Sequence, residues 1–151
     1  MELNALSGIF SVHCRPDLAM NIQETYAWIQ KLSDHLGLEF SSQDWGIVNA
    51  SASRVNEFIE CFNNSGVPPH NRNEYPYNHS DYRGFVRYHV FELVIASYNE
   101  AMIEGKTTTE DQDRFIKFIT DNASNTDYQP TLNYWKGLAN RSEFPVANLL
   151  I

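Results

Sequence analysis

The apolar residues of this chain recur mostly at helical spacing, and they predict a series of α-helices. The first predicted helix begins near Pro16, which suits a first helical turn, and it ends at Gly37. Its apolar side chains lie three, four or seven residues apart, so they share one helical face. These residues are Leu18, Ile22, Ile29, Leu32 and Leu36.

A second helix is predicted to end at residues 64 to 66, where asparagine and glycine form a stop signal. Gly46 and the sequence "NASAS" that follows it indicate a break or a short separate turn before this helix. The predicted core face consists of Val55, Phe58, Ile59 and Phe62.

The longest apolar pattern runs from about residue 81 to residue 104 and covers most of a helix circumference. A helix that is apolar on nearly every side is surrounded by others, so this helix is predicted to lie at the centre. Ser80 or Asp81 is its predicted N-cap, and Gly105 closes it. Its apolar residues are Phe85, Val86, Val90, Phe91, Leu93, Val94, Ile95 and Tyr98.

Two further helices and a docked tail complete the pattern. The sequence "KTTTEDQDRFIKFITDNASN" contains a predicted capping box from Thr107 to Glu110, and Pro130 can open a short last helix. The apolar tail "SEFPVANLLI" is expected to pack against the core. Phe115, Ile116, Phe118 and Ile119 are predicted to face the core, and Tyr134, Trp135 and Leu138 belong to the last helix.

Together these patterns predict an all-α fold, a single domain over residues 1–151. It is expected to be a bundle of five or six helices around the central helix at about 81–104. The chain contains no Asn-Gly or Asp-Gly hairpin signal and little sustained alternation, so strands are not expected.

The net charge of the chain narrows the class of ligand that it is expected to bind. The chain has 19 Asp and Glu residues against 11 Lys and Arg residues, a net charge of -8. Such a charge repels phosphate backbones and anionic lipids, so neither nucleic acid nor a membrane is the predicted ligand. A cationic protein partner would be attracted. Without a basic N-terminal signal region or a long apolar segment, the chain is expected to be cytoplasmic.

No sequence motif points to a metal or a reactive cysteine. His70, Glu74 and His79 could supply imidazole and carboxylate ligands, but their spacing matches no zinc motif. Cys14 and Cys61 are far apart in the sequence and are interpreted as two reduced thiols.

Motifs for nucleophilic or cofactor chemistry are missing as well. Ser80 lies between His79 and Asp81, but no G-x-S-x-G sequence surrounds it, and the glycines form no phosphate-binding loop. We therefore predict no catalytic residue, no metal ligand and no cofactor.

The stretch "NNSGVPPHNRNEYPYNHSDYRG", residues 63 to 84, is the first candidate for binding a partner. Tyrosine offers a large rigid contact area, and three prolines restrict the backbone, so Tyr75, Tyr77, Tyr82 and His79 are predicted partner contacts. The alternative is that this stretch is only a surface connection.

Within that stretch begins a cationic row at a spacing of four residues, formed by His79, Arg83 and Arg87. This row could grip a carboxylate or a phosphate. The alternative is that both arginines pair with acids of a neighbouring helix.

The sequence "TEDQD" is the second candidate. It places Glu110, Asp111 and Asp113 in one helical turn, where they either complement the helix dipole or meet a cationic partner.

The profile carried by "TEDQD" and "NEYPYNHSDYR" resembles the immunity proteins of bacterial polymorphic toxin systems, especially those of contact-dependent growth inhibition. The resemblance implies a non-catalytic protein that neutralises one cognate toxin by covering its active site or substrate surface. Many such toxins are cationic nucleases, which an acidic surface would match. The resemblance is one of general character, so no residue role is carried over from the family, and the oligomeric state stays open.

Two alternative functions follow from the same residues. One is a small helical enzyme with a metal or acid/base site around His70, His79 and His89. The other is a different phage or mobile-element inhibitor, equally acidic and without catalysis.

Overall fold

The computed structural model describes residues 22–150. This part of the chain contains six α-helices and three short 3-10 helices joined by loops. The described residues contain no strand, so the predicted all-α architecture is confirmed. The α-helices are α1 (Ile22–Leu36), α2 (Trp45–Val48), α3 (Val55–Asn64), α4 (Ser80–Ile103), α5 (Thr109–Asn122) and α6 (Gln129–Lys136). The 3-10 helices are Ala52–Arg54, Thr126–Tyr128 and Pro145–Leu149.

Helix α4 is the predicted central helix. It has 24 residues and is therefore about 36 Å long. Its buried residues point in every direction around the helix axis, because α1, α2, α3 and the C-terminal segment all pack on it. Among its fully buried side chains are Val86, Val90, Phe91, Leu93, Val94 and Ile95.

The N-cap of α4 differs from the prediction. It is His79, whose Nδ1 accepts a hydrogen bond from the backbone N–H of Asp81 at 3.2 Å, so Ser80 and Asp81 already belong to the first turn. The prediction missed this because Ser and Asp are the usual N-caps, whereas here an imidazole nitrogen supplies the same acceptor.

Helices α3 and α5 run antiparallel to α4 and meet it through stacked aromatic rings. The rings of Tyr98 and Phe115 stack with centroids 4.3 Å apart, and Phe91 lies 5.4 Å from Phe118. Phe62 of α3 closes the group with an edge contact to Phe118 at 5.0 Å. Aromatic pairs at such distances add to the free energy gained from burial, so this seam ties three helices together.

Helix α1 packs against the N-terminal half of α4. The ring of Trp28 lies 5.3 Å from Tyr82 and 5.5 Å from Phe85. The helix ends at Gly37, whose φ of 67° only glycine adopts without strain, as the sequence predicts. The predicted positions Pro16 and Leu18 lie outside the described residues.

The predicted break around Gly46 is the four-residue helix α2. A Cβ atom on Gly46 would lie 2.9 Å from the backbone nitrogen of Leu93, so only glycine permits this approach to α4. Beside it, the buried Trp45 donates a hydrogen bond from Nε1 to Ser33 Oγ at 2.8 Å. This contact fixes α2 against α1.

Helix α5 begins with a capping box one residue later than predicted. Thr108 Oγ1 accepts from the N–H of Asp111 at 3.0 Å, and Asp111 Oδ2 accepts from the N–H of Thr108 at 3.1 Å. Phe115, Phe118 and Ile119 are buried as expected. Ile116 was wrongly assigned to the core, since it is 36% exposed on the outer face.

The C-terminal segment packs on α4 as predicted. Asn99 of α4 accepts a hydrogen bond from the N–H of Val146 and donates one to the carbonyl of Glu143. Pro130 lies in the first turn of α6, whose Trp135 is buried, whereas Tyr134 is exposed and Leu138 lies beyond the helix end.

Candidate functional site

The predicted tyrosine contacts separate into one exposed and two buried residues. Tyr75 is 59% exposed, yet its hydroxyl is held in place. It donates to Glu24 Oε2 at 2.9 Å and accepts from Trp28 Nε1 at 3.3 Å. An exposed ring that is already ordered loses little entropy on binding, so Tyr75 retains the character of a contact residue.

Tyr77 and Tyr82 belong to the core. Tyr82 is 0% exposed and Tyr77 is 9% exposed, and their rings meet edge to face at 5.8 Å. Burial raises the pKa of Tyr82. Tyr82 has no surface to offer a partner, so its assignment as a surface anchor is corrected. It lies on the face of α4 that also carries Phe85 and Val86, and this spacing identifies it as a core residue.

His79 lies beside Tyr75 at the start of α4, with the two rings perpendicular and 6.1 Å apart. Its imidazole is exposed, while Nδ1 is used in capping the helix. Tyr75 and His79 thus form one exposed aromatic pair, which we call the Tyr75–His79 edge.

The predicted cationic row of His79, Arg83 and Arg87 does not act as one unit. Arg83 donates from Nη1 to the carbonyl of Tyr77 at 2.9 Å, whereas the guanidinium of Arg87 lies 5.0 Å from the ring centroid of Phe62. Neither arginine forms an ion pair with a carboxylate of residues 22–150, so the predicted pairing with a neighbouring helix is wrong for that range.

The histidines of the alternative enzyme hypothesis are not brought together. His70 is exposed in the loop, and His79 and His89 are ten residues apart, or about 15 Å along α4. Burial lowers the pKa of His89 to about 3, so its imidazole is neutral. Among the described residues no group of three or more His, Cys, Asp or Glu side chains is placed to hold a metal ion.

Cys61 is buried on α3, and burial raises the pKa of its thiol to about 12. At neutral pH it is therefore a thiol, the unreactive form, in line with the interpretation as a reduced core residue. Cys14 lies outside the described part of the chain.

The three acids of "TEDQD" have different surroundings. The side chain of Glu110 is 84% exposed and reaches Arg114 only at 3.8 Å. Asp113 is exposed and forms no ion pair with a described residue. Asp111 completes the capping box and lies 3.6 Å from Arg114. Glu110 and Asp113 are thus available to a partner, while Asp111 mainly stabilises α5. We call these three residues the acidic turn.

The two predicted contact regions lie at opposite ends of α4. The Tyr75–His79 edge precedes its first residue, and the acidic turn follows its last, because α5 starts where α4 ends. Tyr75 contacts Trp28, which packs on Tyr82, whereas Asp111 lies near Ala101, so roughly 25 Å of α4 separates the two surfaces. This separation depends on helix packing and could not be read from the spacing of residues along the chain.

One carboxylate that the sequence did not single out is partly buried on α4. Glu92 Oε2 accepts a hydrogen bond from Trp135 Nε1 at 3.0 Å. Burial raises the pKa of Glu92, the hydrogen bond from Trp135 opposes this rise, and the negative charge of Asp44 adds to it. A single glutamate within the apolar run of α4 was the signal that could have identified it.

Comparison of the chain with protein-family models, with curated proteins and with solved structures finds no match. None of the described helices combines the length and the apolarity needed to cross a bilayer.

Proposed function

We propose that this protein is a non-catalytic immunity protein that neutralises a cognate cationic toxin by binding it. The complex would cover the active site or the substrate surface of the toxin. The observation that carries this proposal is the acidic turn, where Glu110 and Asp113 are exposed in a chain with a net charge of -8. Carboxylates in this setting attract lysine and arginine side chains over several ångströms and speed the encounter.

The acidic turn also has the rigidity that a binding surface needs. The capping box between Thr108 and Asp111 fixes the backbone of the first turn, and Phe115 anchors the helix in the core. Glu110 and Asp113 are therefore presented on ordered backbone, which lowers the entropy lost on association. The Tyr75–His79 edge, at the other end of α4, is a second candidate contact that offers an ordered aromatic ring.

A direct test uses the toxin encoded by the neighbouring reading frame, expected to be the C-terminal domain of a very large secreted protein. The two proteins should form a one-to-one complex, and co-expression should restore growth. Reversing Glu110 and Asp113 to lysine should slow association about tenfold at low salt, and the difference should shrink as salt rises.

Glu60→Lys serves as the control, because Glu60 is an exposed carboxylate of α3 that forms no ion pair with a described residue. It changes the net charge but leaves the acidic turn intact. An association rate that falls equally for Glu60→Lys and for a single reversal at Glu110 would remove the acidic turn from the interface. A neighbouring toxin that forms no complex would overturn the proposed function.

A further inference from the structure

A cleft with a volume of about 430 Å³ opens where α3, α4 and α5 meet. Its walls combine the aromatic rings of Phe62 and Phe118 with three cationic side chains, namely Arg87, Arg114 and Lys117. The volume lies within the range of sites that bind small molecules, and six of the nine lining residues are polar or charged, which suits a charged ligand.

The charge of the cleft is opposite to that of the whole molecule. Three of the chain's 11 Lys and Arg residues line it, and Asp121 is the one carboxylate among its lining residues. Because the chain carries a net charge of -8, such a concentration of cations is a local feature of this site. It favours an anionic ligand.

Arg87 is half-buried, and one of its donors has no partner within the described part of the chain. Its Nε is buried and has no hydrogen-bond acceptor among residues 22–150. Its guanidinium lies over the ring of Phe62, 5.0 Å from the ring centroid. This contact orients the group, but the ring is not a conventional hydrogen-bond acceptor for its N–H groups. No carboxylate of residues 22–150 forms an ion pair with Arg87, so its positive charge is available to an anion in the cleft.

The other two cations are held only weakly. Arg114 lies 3.8 Å from Glu110 and 3.6 Å from Asp111, too far for well-formed hydrogen bonds. Lys117 contacts Asp121 at 2.8 Å, but this pair is exposed and such pairs contribute little to stability. An incoming anion can therefore recruit both side chains.

We infer that this cleft binds a small organic phosphate, with the phosphate between Arg87, Arg114 and Lys117 and an apolar portion against Phe62 and Phe118. A phosphate carries up to about two negative charges and three acceptor oxygens, so it matches three cations better than a single carboxylate does. The site adjoins the acidic turn, because Arg114 lies near Glu110 and Asp111, but it does not depend on the proposed toxin binding.

The test is calorimetric titration of the full chain with phenyl phosphate, with inorganic phosphate and with benzoate. Phenyl phosphate should bind at a single saturable site, and more tightly than the other two probes. Amide chemical shifts should change most along α5 near Arg114 and Lys117. Arg87→Gln and, separately, Arg114→Gln should each weaken phenyl phosphate binding about tenfold or more.

Arg83→Gln is the matched control, because Arg83 lies one turn earlier on α4 and bonds the Tyr77 carbonyl outside the cleft. It should bind phenyl phosphate as the unmodified protein does. If Arg87→Gln fails to fold, the exposed variants Arg114→Gln and Lys117→Gln decide the outcome. Dissociation constants above about 10 mM, or affinity unchanged in the cleft variants, would overturn the inference. So would benzoate binding as tightly as phenyl phosphate, or shifts confined to another surface.

Discussion

At the scale of single residues, Gly46 shows how closely α2 approaches α4. A methyl group at this position would meet the backbone nitrogen of Leu93 at 2.9 Å, and backbone cannot move aside as a flexible side chain can. We expect Gly46→Ala to lower the free energy of unfolding by about 1 to 3 kcal/mol. Denaturant unfolding measures this, with Val48→Ala on the exposed face of the same helix as a control that should change stability far less.

His89 makes the stability of the fold depend on pH. Its folded pKa is lowered from 6.5 to about 3, so below pH 6.5 the unfolded chain binds a proton that the folded protein does not. The contribution of His89 to the free energy of unfolding is therefore fully present above pH 6.5. It is lost as the pH falls toward 3, at up to about 1.4 kcal/mol per pH unit.

Replacing His89 by leucine should flatten the dependence of unfolding free energy on pH between about 6.5 and 3. Phe85→Leu is the control, because Phe85 packs on the His89 ring at 4.5 Å but does not titrate. It should lower stability at every pH and leave the slope unchanged. Equal slopes for His89→Leu and the unmodified protein would show that protonation of His89 is not linked to unfolding.

At the scale of elements, the capping box sets where α5 begins and how firmly the acidic turn is held. Thr108→Ala removes the acceptor of the Asp111 N–H bond and should cost about 1 kcal/mol. Thr109→Ala changes the next residue, which is exposed and makes no side-chain cap, so it should be nearly neutral. Thermal unfolding compares the stability of the two variants directly. Equal losses of stability would show that Thr108 is not the residue that caps α5.

The same helix shows how far the sequence could be used for prediction. Apolar spacing identified the helices because burial of one face stabilises them, and it identified α4 as central because that helix has no polar face. The residue that caps α5 was less certain, because any of three consecutive threonines could fill this position and the prediction was one residue too early. The exposure of Ile116 depends on which neighbours pack there, and a single sequence does not contain that information, whereas the spacing of Tyr82 with Phe85 and Val86 could have identified its burial.

At the scale of the whole molecule, the arrangement of helices decides which predicted contacts can act together. The acidic turn and the Tyr75–His79 edge were two separate candidates in the sequence, and α4 keeps them roughly 25 Å apart. The cationic cleft shows the opposite case, because Arg87 is distant in the sequence from Arg114 and Lys117 but lines the same cleft in the fold.

The separation limits how a toxin can bind. A typical interface buries about 800 Å² per partner, a patch roughly 32 Å across, so an interface of that size includes both surfaces only if it is centred between them. For an interface centred on the acidic turn, we expect the double reversal of Glu110 and Asp113 to weaken the complex and Tyr75→Ala to leave its dissociation constant within about twofold. Because the sites are far apart, the combined variant should show the sum of the two free-energy changes. If Tyr75→Ala and the double reversal each lower the affinity more than about tenfold, the partner contacts both surfaces and spans the length of α4.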